Sequence, residues 1–239
     1  MIVLAIEASA QVASVAVQRD EMLMAEQMIN GKLTHSETLM PMVQSVMCQA
    51  ELEPNDLDML AVTVGPGSFT GLRIGAATVK GLALGLDIPV MPLPTLEVLA
   101  YGAVLADELL VPIMDARRGQ VYAALYRRKD DALGCVQEAA VLTVEDLIQR
   151  LGEQEGPCVV LGDGIPPYGE RLRETLGPRV KVAPPHLRYL RAGAAAALAL
   201  AHCREGMLPV RGDDIELVYL RKPQAERERE ARLQREALP

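Results

Sequence analysis

The sequence predicts an α/β protein built from two similar units, each carrying a mixed sheet. Three observations predict it. Short apolar, β-branched runs alternate with stretches of helical spacing, as in folds where a strand returns through a helix. Two hairpins, one within residues 2–17 and one within residues 110–126, each carry an acidic residue at the turn (Glu7 and Asp115) and so point to an internal duplication. The run Val64-Gly-Pro-Gly-Ser-Phe-Thr-Gly-Leu-Arg-Ile-Gly75 joins a buried strand to a helix through a turn rich in glycine.

Ile2 to Ile6 is a strand, Glu7 to Gln11 a turn, Val12 to Val17 a second strand and Glu21 to Ile29 a third, alternating one. The opening apolar run has no basic segment before it and breaks at Glu7, so it reads as a strand and not as a signal peptide. Residues 34–50 form an amphipathic helix. Leu39, Met42, Val43, Val46, Met47 and Ala50 share one stripe, and Thr34 and Glu37 have capping-box spacing. The stripe fits an internal core and a Met-rich partner surface equally well. His35 is a lone imidazole, because position 39, one turn on, is Leu and supplies no second ligand.

Leu57 to Val64 reads as a parallel strand buried on both faces, and the helix that follows spans 70–86 with Ser68 or Thr70 as its cap. Gly65 and Gly67 permit positive φ and Pro66 fixes the turn. The run is neither a P-loop nor a dinucleotide fingerprint, since Gly71 is followed by Leu-Arg and no third glycine stands at the required offset. Local chemistry leaves two readings, an anion site at a helix N-terminus or a packing joint. The helix favours packing: Gly71, Gly75 and Thr78 share a face, and Gly81 and Gly85 repeat the spacing that lets another backbone approach. After it come an edge-like strand at 86–91 and a helix from 95 to about 106.

The second unit begins near Leu109. Its hairpin is followed by a helix around 144–151, a strand at 158–161 ending in Gly162-Asp-Gly164, and an alanine-rich helix over 187–204. The organisation expected is an N-terminal lobe (1–108) holding the two amphipathic helices, which the resemblance given below makes the partner-binding ones, a C-terminal lobe (109–221), and a charged, solvated tail (222–239).

At 239 residues and 50% hydrophobic content the chain can hold a core without staples. A net charge of −8 argues against a broad phosphate-binding surface, so a nucleic-acid role would run through a partner. Cys48, Cys135, Cys158 and Cys203 show no CxxC pairing and read as buried free thiols, which fits the cytoplasm. No segment has the length of a membrane span.

Ala5-Ile-Glu-Ala-Ser, Thr34-His-Ser-Glu, the glycine signature, Asp115-Ala-Arg-Arg-Gly-Gln-Val-Tyr and Tyr219-Leu-Arg together resemble the bacterial TsaB (YeaZ) family over residues 1 to about 221. The resemblance implies a two-lobed fold of the actin, sugar kinase and Hsp70 (ASKHA) type. It implies a role in making N6-threonylcarbamoyladenosine (t6A) in tRNA as the non-catalytic partner of TsaD, assisted by the ATPase TsaE. ATP would be used by that complex, with no cofactor bound by this chain alone and tRNA contacted only indirectly.

The same resemblance implies that the two helices pack against their TsaD equivalents as a four-helix interface, carried by His35, Leu39, Met42, Val43, Val46, Phe69, Gly71, Leu72, Gly75 and Val79. In a homodimer they would pair with their own copies. The catalytic relative holds a metal with two histidines one turn apart, a pair absent here. Glu7 stands where phosphate-handling superfamily members carry an acid, yet Ala8-Ser-Ala-Gln11 lacks the glycine that admits a phosphate. The alternatives kept open are an ATP-dependent or metallopeptidase-like enzyme of the superfamily and a homodimeric scaffold with no tRNA role.

Overall fold

The computed structural model describes residues 1–103, 108–129 and 132–221. The N-terminal lobe runs β1 (Ile2–Glu7), β2 (Ala13–Arg19), β3 (Met22–Ile29), α1 (His35–Gln49), β4 (Met59–Gly65), α2 (Phe69–Leu86), β5 (Val90–Pro94) and α3 (Thr95–Tyr101). The C-terminal lobe runs β6 (Leu109–Arg117), β7 (Gln120–Lys129), β8 (Ala132–Thr143), α4 (Val144–Gly152), β9 (Cys158–Leu161), α5 (Ile165–Leu176), β10 (Val180–Val182) and α6 (Ala192–Arg204).

The duplication is complete. The first sheet has the order β3-β2-β1-β4-β5 and the second, read from its far edge, β8-β7-β6-β9-β10. In each, three antiparallel strands are followed by two parallel ones. The sequence reading lacked β8, α5 and β10. It also began α6 five residues early and set β5 about four residues early, because α2 runs on to Leu86 and ends at Asp87 in the left-handed region. The helix expected to reach Ala106 stops at Tyr101, where Gly102 caps it and Ala103 continues as a turn; the tail at 222–239 lies outside the described residues.

The alternation of strand side chains builds two cores. Val3 and Ala5 of β1 and Met59 and Ala61 of β4 face α3, α6 and the second sheet. Leu4, Ile6, Leu60, Val62 and Val64 face α1 and α2. The alanine-rich α6 has its reason here. Ala192, Ala195, Ala196 and Ala199 are buried against Ala5, Ala16 and Ala61, so small residues on both sides let the helix lie close on the first sheet. Although α6 follows the C-terminal lobe in sequence, it packs on β1 and β2, and residues 210–218 return along β5 and β4. The boundary near 109 therefore separates the two sheets, while the last thirty described residues rejoin the first lobe.

Two of the four thiols depart from the expectation: Cys158 is buried and Cys203 partly so, but Cys48 and Cys135 are exposed. All four are free. Among the described residues no helix is long and apolar enough to cross a membrane.

Candidate partner surface and inter-lobe cleft

At the glycine joint the chain packs on itself. Gly65 sits at φ +127°, and a Cβ there would stand 2.2 Å from the Val218 carbonyl oxygen. A Cβ on Gly67 would meet the Ser9 carbonyl oxygen at 2.3 Å, and one on Gly71 the Ala8 carbonyl oxygen at 2.0 Å. No side chain fits at these distances. The β1–β2 turn is thereby seated on the start of α2. Its Ser9 carbonyl accepts a 2.7 Å hydrogen bond from the Ser68 amide, and the Ser68 hydroxyl accepts one from the Gly71 amide at 3.3 Å. The chain itself occupies two of the amides an anion would need, which decides between the two readings of this run in favour of the packing joint.

The start of α1 is tied to the same turn. The Thr34 amide and hydroxyl donate to the Glu37 carboxylate at 2.9 and 2.6 Å, which holds that carboxyl below its usual range. The His35 Nε2 lies 2.9 Å from the Ala10 carbonyl oxygen. His35 is thus a positioning contact between α1 and the turn.

Most of the residues expected at the partner interface are inside the lobe. Leu39, Met42, Val43, Val46 and Val79 are between 0 and 7% exposed and belong to the core under the sheet, and Leu72 is 1% exposed. Gly71 is buried beneath Ala8, and Gly75 lies in ordinary contact with Ala8 and Val62. Their side chains cannot present themselves to a partner while the lobe is folded. Periodicity alone fits the stripe to an internal core and to a partner surface equally well, because it finds a helix's apolar face without saying what covers it.

The outward faces of α1 and α2 carry a different set. Met40, Pro41, Gln44 and Cys48 are exposed on α1, and Arg73, Ala77, Gly81, Leu84 and Gly85 on α2. Leu84 is 80% exposed, and a Cβ on Gly81 or Gly85 would meet nothing within 4 Å. Phe69 is half-buried. The Arg73 guanidinium lies 3.8 Å over its ring, Tyr219 packs on it at 5.1 Å, and Arg73 Nε donates to the Tyr219 hydroxyl at 3.2 Å.

Between the lobes opens a cleft of about 560 Å3. One wall carries Ser9, Gln11, Lys32 and Thr70, the other Asp115, Arg117 and Asp163. The Asp115 amide donates to Asp163 Oδ1 at 3.1 Å, and the Tyr168 hydroxyl and Arg117 amide donate to Asp115 Oδ1 at 3.3 and 2.8 Å. Burial pushes the Asp163 carboxyl above its usual range. Below the turn, Glu7 is fully buried. Its Oε1 accepts from the Ser9 amide and hydroxyl at 2.6 and 2.5 Å, while its Oε2 has no partner among the described residues. Burial raises its pKa against the lowering effect of Ser9, and the Asp163 charge adds to the rise. Sequence reasoning had Glu7 and Asp115 as turn residues but missed Lys32, Arg117 and Asp163 as walls of one cavity. Among the described residues no group of three or more His, Cys, Asp or Glu side chains could hold a metal ion.

Comparison with known proteins agrees with this architecture. Residues 26–161 match the family model described as TsaD, tRNA N6-adenosine threonylcarbamoyltransferase. The tRNA threonylcarbamoyladenosine biosynthesis protein TsaB of Bacillus subtilis is 37% identical over 177 residues, which cover 74% of this chain and 77% of that protein. YeaZ from Pseudomonas aeruginosa superposes with a TM-score of 0.74 at 26% identity, over 92% of this chain and 99% of its own. Component A of (R)-2-hydroxyglutaryl-CoA dehydratase from Acidaminococcus fermentans shares the fold alone, with a TM-score of 0.50 at 12% identity over 85% of this chain and 99% of its own. The fold is the two-lobed ASKHA fold that the resemblance implied. Its duplicated sheets, its glycine joint and these identities place the chain in the TsaB (YeaZ) family.

Proposed function

We propose that this chain takes part in t6A biosynthesis as a non-catalytic subunit, required for the modification at position 37 of tRNA in the cytoplasm. It acts by binding and positioning a TsaD-type catalytic subunit, with a TsaE-type ATPase in the same complex. ATP is used by the complex, and tRNA meets this chain only through its partners. The observation that carries the reading is the outward face of α2. On a helix whose other face is buried in its lobe, Ala77, Gly81 and Gly85 form a small-residue row with Leu84 standing beside it, and this row has room for a second helix to approach.

The partner surface is therefore the outward ridge of α1 and α2, with Phe69 and His35 at its end, and not the buried stripe beneath. In the absence of TsaD the same ridge would pair with a second copy, so self-association and heterodimer formation compete. The test is deletion of the gene followed by nucleoside mass spectrometry of bulk tRNA, with purified chain and TsaD mixed in parallel. The expected result is loss of the modified adenosine and formation of a heterodimer. An unchanged level of modified adenosine sinks the reading.

A further inference from the structure

We infer that the outward ridge of α2 carries a charged anchor: Arg73 takes a carboxylate side chain, Asp or Glu, presented by the catalytic partner. The inference rests on the partner reading above and names the chemistry that the partner must bring to the N-terminal end of the ridge.

Arg73 is held in place before any partner arrives. Phe69 lies one helical turn earlier on α2, so its ring and the guanidinium share one side of the helix, and the guanidinium carbon stands 3.8 Å from the ring centroid. Tyr219 packs on the same ring at 5.1 Å, and its hydroxyl accepts from Arg73 Nε at 3.2 Å. Tyr219 is itself fixed, because the neighbouring Val218 amide donates to the Val64 carbonyl oxygen at 2.8 Å. One face of the guanidinium and one of its five donors are thus engaged, and the four Nη hydrogens have no partner among the described residues. A long side chain ordinarily gives up rotamer freedom when it binds, and here the fold has already removed much of it.

No described residue answers this charge. Elsewhere Arg171 meets Glu145, Lys181 meets Glu108 and Arg191 meets Glu26. Arg73 is exposed in a chain of 32 acidic and 24 basic residues, yet it forms no ion pair among the described residues. The 18 residues of α2 include no acid, and Arg73 lies in the second turn, near the positive end of the helix dipole, where a cation gains nothing and an anion is attracted. Anchoring the C-terminal segment at Tyr219 uses only the ring and Nε. What is left is the planar edge of two Nη groups, the edge that grips a carboxylate through two parallel hydrogen bonds. A carboxylate fits better than the phosphates of an RNA. A polyanion feels the whole net charge of −8, whereas a single acidic side chain feels the guanidinium at contact. Position agrees, since Arg73, Ala77, Gly81 and Leu84 follow one stripe and Arg73 stands about 16 Å along the axis from Leu84, within reach of one helix laid on the small-residue row.

The test is titration calorimetry of the full chain with purified TsaD at low and at high ionic strength, with thermal melts to confirm that each variant folds. Arg73→Gln should bind at least tenfold more weakly at low ionic strength, and its deficit should narrow as salt screens the wild-type contact. Arg73→Glu should bind more weakly still, and replacing the surface Asp and Glu residues of TsaD by Arg one at a time should find a position that restores at least tenfold of the loss. Wild-type binding by Arg73→Gln overturns the inference and leaves the partner reading standing. So does a deficit that salt does not change and no charge reversal rescues, which would mark a loosened Tyr219 contact. Saturable tRNA binding by the chain alone, abolished in Arg73→Gln while TsaD affinity is unchanged, assigns the arginine to a phosphate and likewise overturns it. Absence of any complex between the wild-type chain and TsaD is the separate result that overturns both.

Discussion

The Ser9 carbonyl oxygen receives the Ser68 amide at 2.7 Å, so the turn after the first strand rests on the first turn of α2. This contact explains why Gly65, Gly67 and Gly71 stand where they do. Each clears a path for a backbone carbonyl, two from the β1–β2 turn and one from Val218. Two glycines of one helix should therefore respond oppositely to the same substitution.

Gly71→Ala places a methyl 2.0 Å from the Ala8 carbonyl oxygen and forces the turn off the helix. Overpacking against backbone should cost about 1–3 kcal/mol. Gly81→Ala meets open space on an exposed helical position and should gain up to about 1 kcal/mol from helix propensity. Urea denaturation of the two variants checks both signs.

The partner surface is separable from the core by the same logic. Val43→Asp puts an unpaired charge into the lobe and should cost several kcal/mol, about 3 or more. Gly81→Leu together with Leu84→Asp alters only the exposed ridge, so it should leave the melting temperature within a few degrees while weakening TsaD binding at least tenfold. Co-purification with TsaD, read beside the melt, tests the pair. Wild-type binding by the ridge variant would remove that surface from the interface.

Glu7 makes the fold sensitive to pH. Its carboxyl titrates higher in the folded chain than in the unfolded one, chiefly because burial disfavours the charge. The folded state therefore binds more protons, and stability declines as pH rises from the unfolded carboxyl value near 4.5 toward the raised folded value. Glu7→Gln keeps the acceptor for Ser9 and removes the ionisation. Its stability should fall less than that of the wild type between pH 5 and pH 8, as read by denaturant midpoints at each pH.

His202 and Glu97 form a second linkage, with Nε2 3.0 Å from Oε1 across α6 and α3. The Glu97 carboxylate raises the imidazole pKa above 6.5 against the opposing effect of burial. The pair's charge-dependent stabilisation is fully present below pH 6.5 and is lost as pH rises through the raised folded value. Glu97→Gln should cost about 1–2 kcal/mol at pH 5.5 and less at pH 8.5. A pH-independent difference between wild type and variant would refute this linkage.

The C-terminal strap holds the joint from the other side. The Val218 amide donates to the Val64 carbonyl oxygen at 2.8 Å, and Arg221 donates to the Ala116 carbonyl of the second lobe. Tyr219→Ala removes the ring contact with Phe69 and the Arg73 hydrogen bond. A loss of about 1–2 kcal/mol is expected, with faster amide exchange at Val218 that hydrogen exchange can read.

Much of this protein is legible in the chain itself. The alternation in β1, the continuous apolar run of β4, the Thr34–Glu37 cap and the paired hairpins each reflect a local rule, set by side-chain geometry within a few residues. Those rules determined an α/β fold of two duplicated units and located the joint and both major helices. They failed at β8, whose residues Gly134 to Gln137 give no clean alternation, and at α5, which begins with two prolines soon after Gly164. Tertiary structure alone decided which face of α1 and α2 is free, because burial depends on what arrives from elsewhere. The sheet covers Leu39 and Val43, the turn at Ala8 covers Gly71, and none of the described residues covers Gly81. It likewise decided that Lys32 and Arg117, 85 positions apart in the chain, share one cleft, since two lobes meet there whose separation no local periodicity encodes.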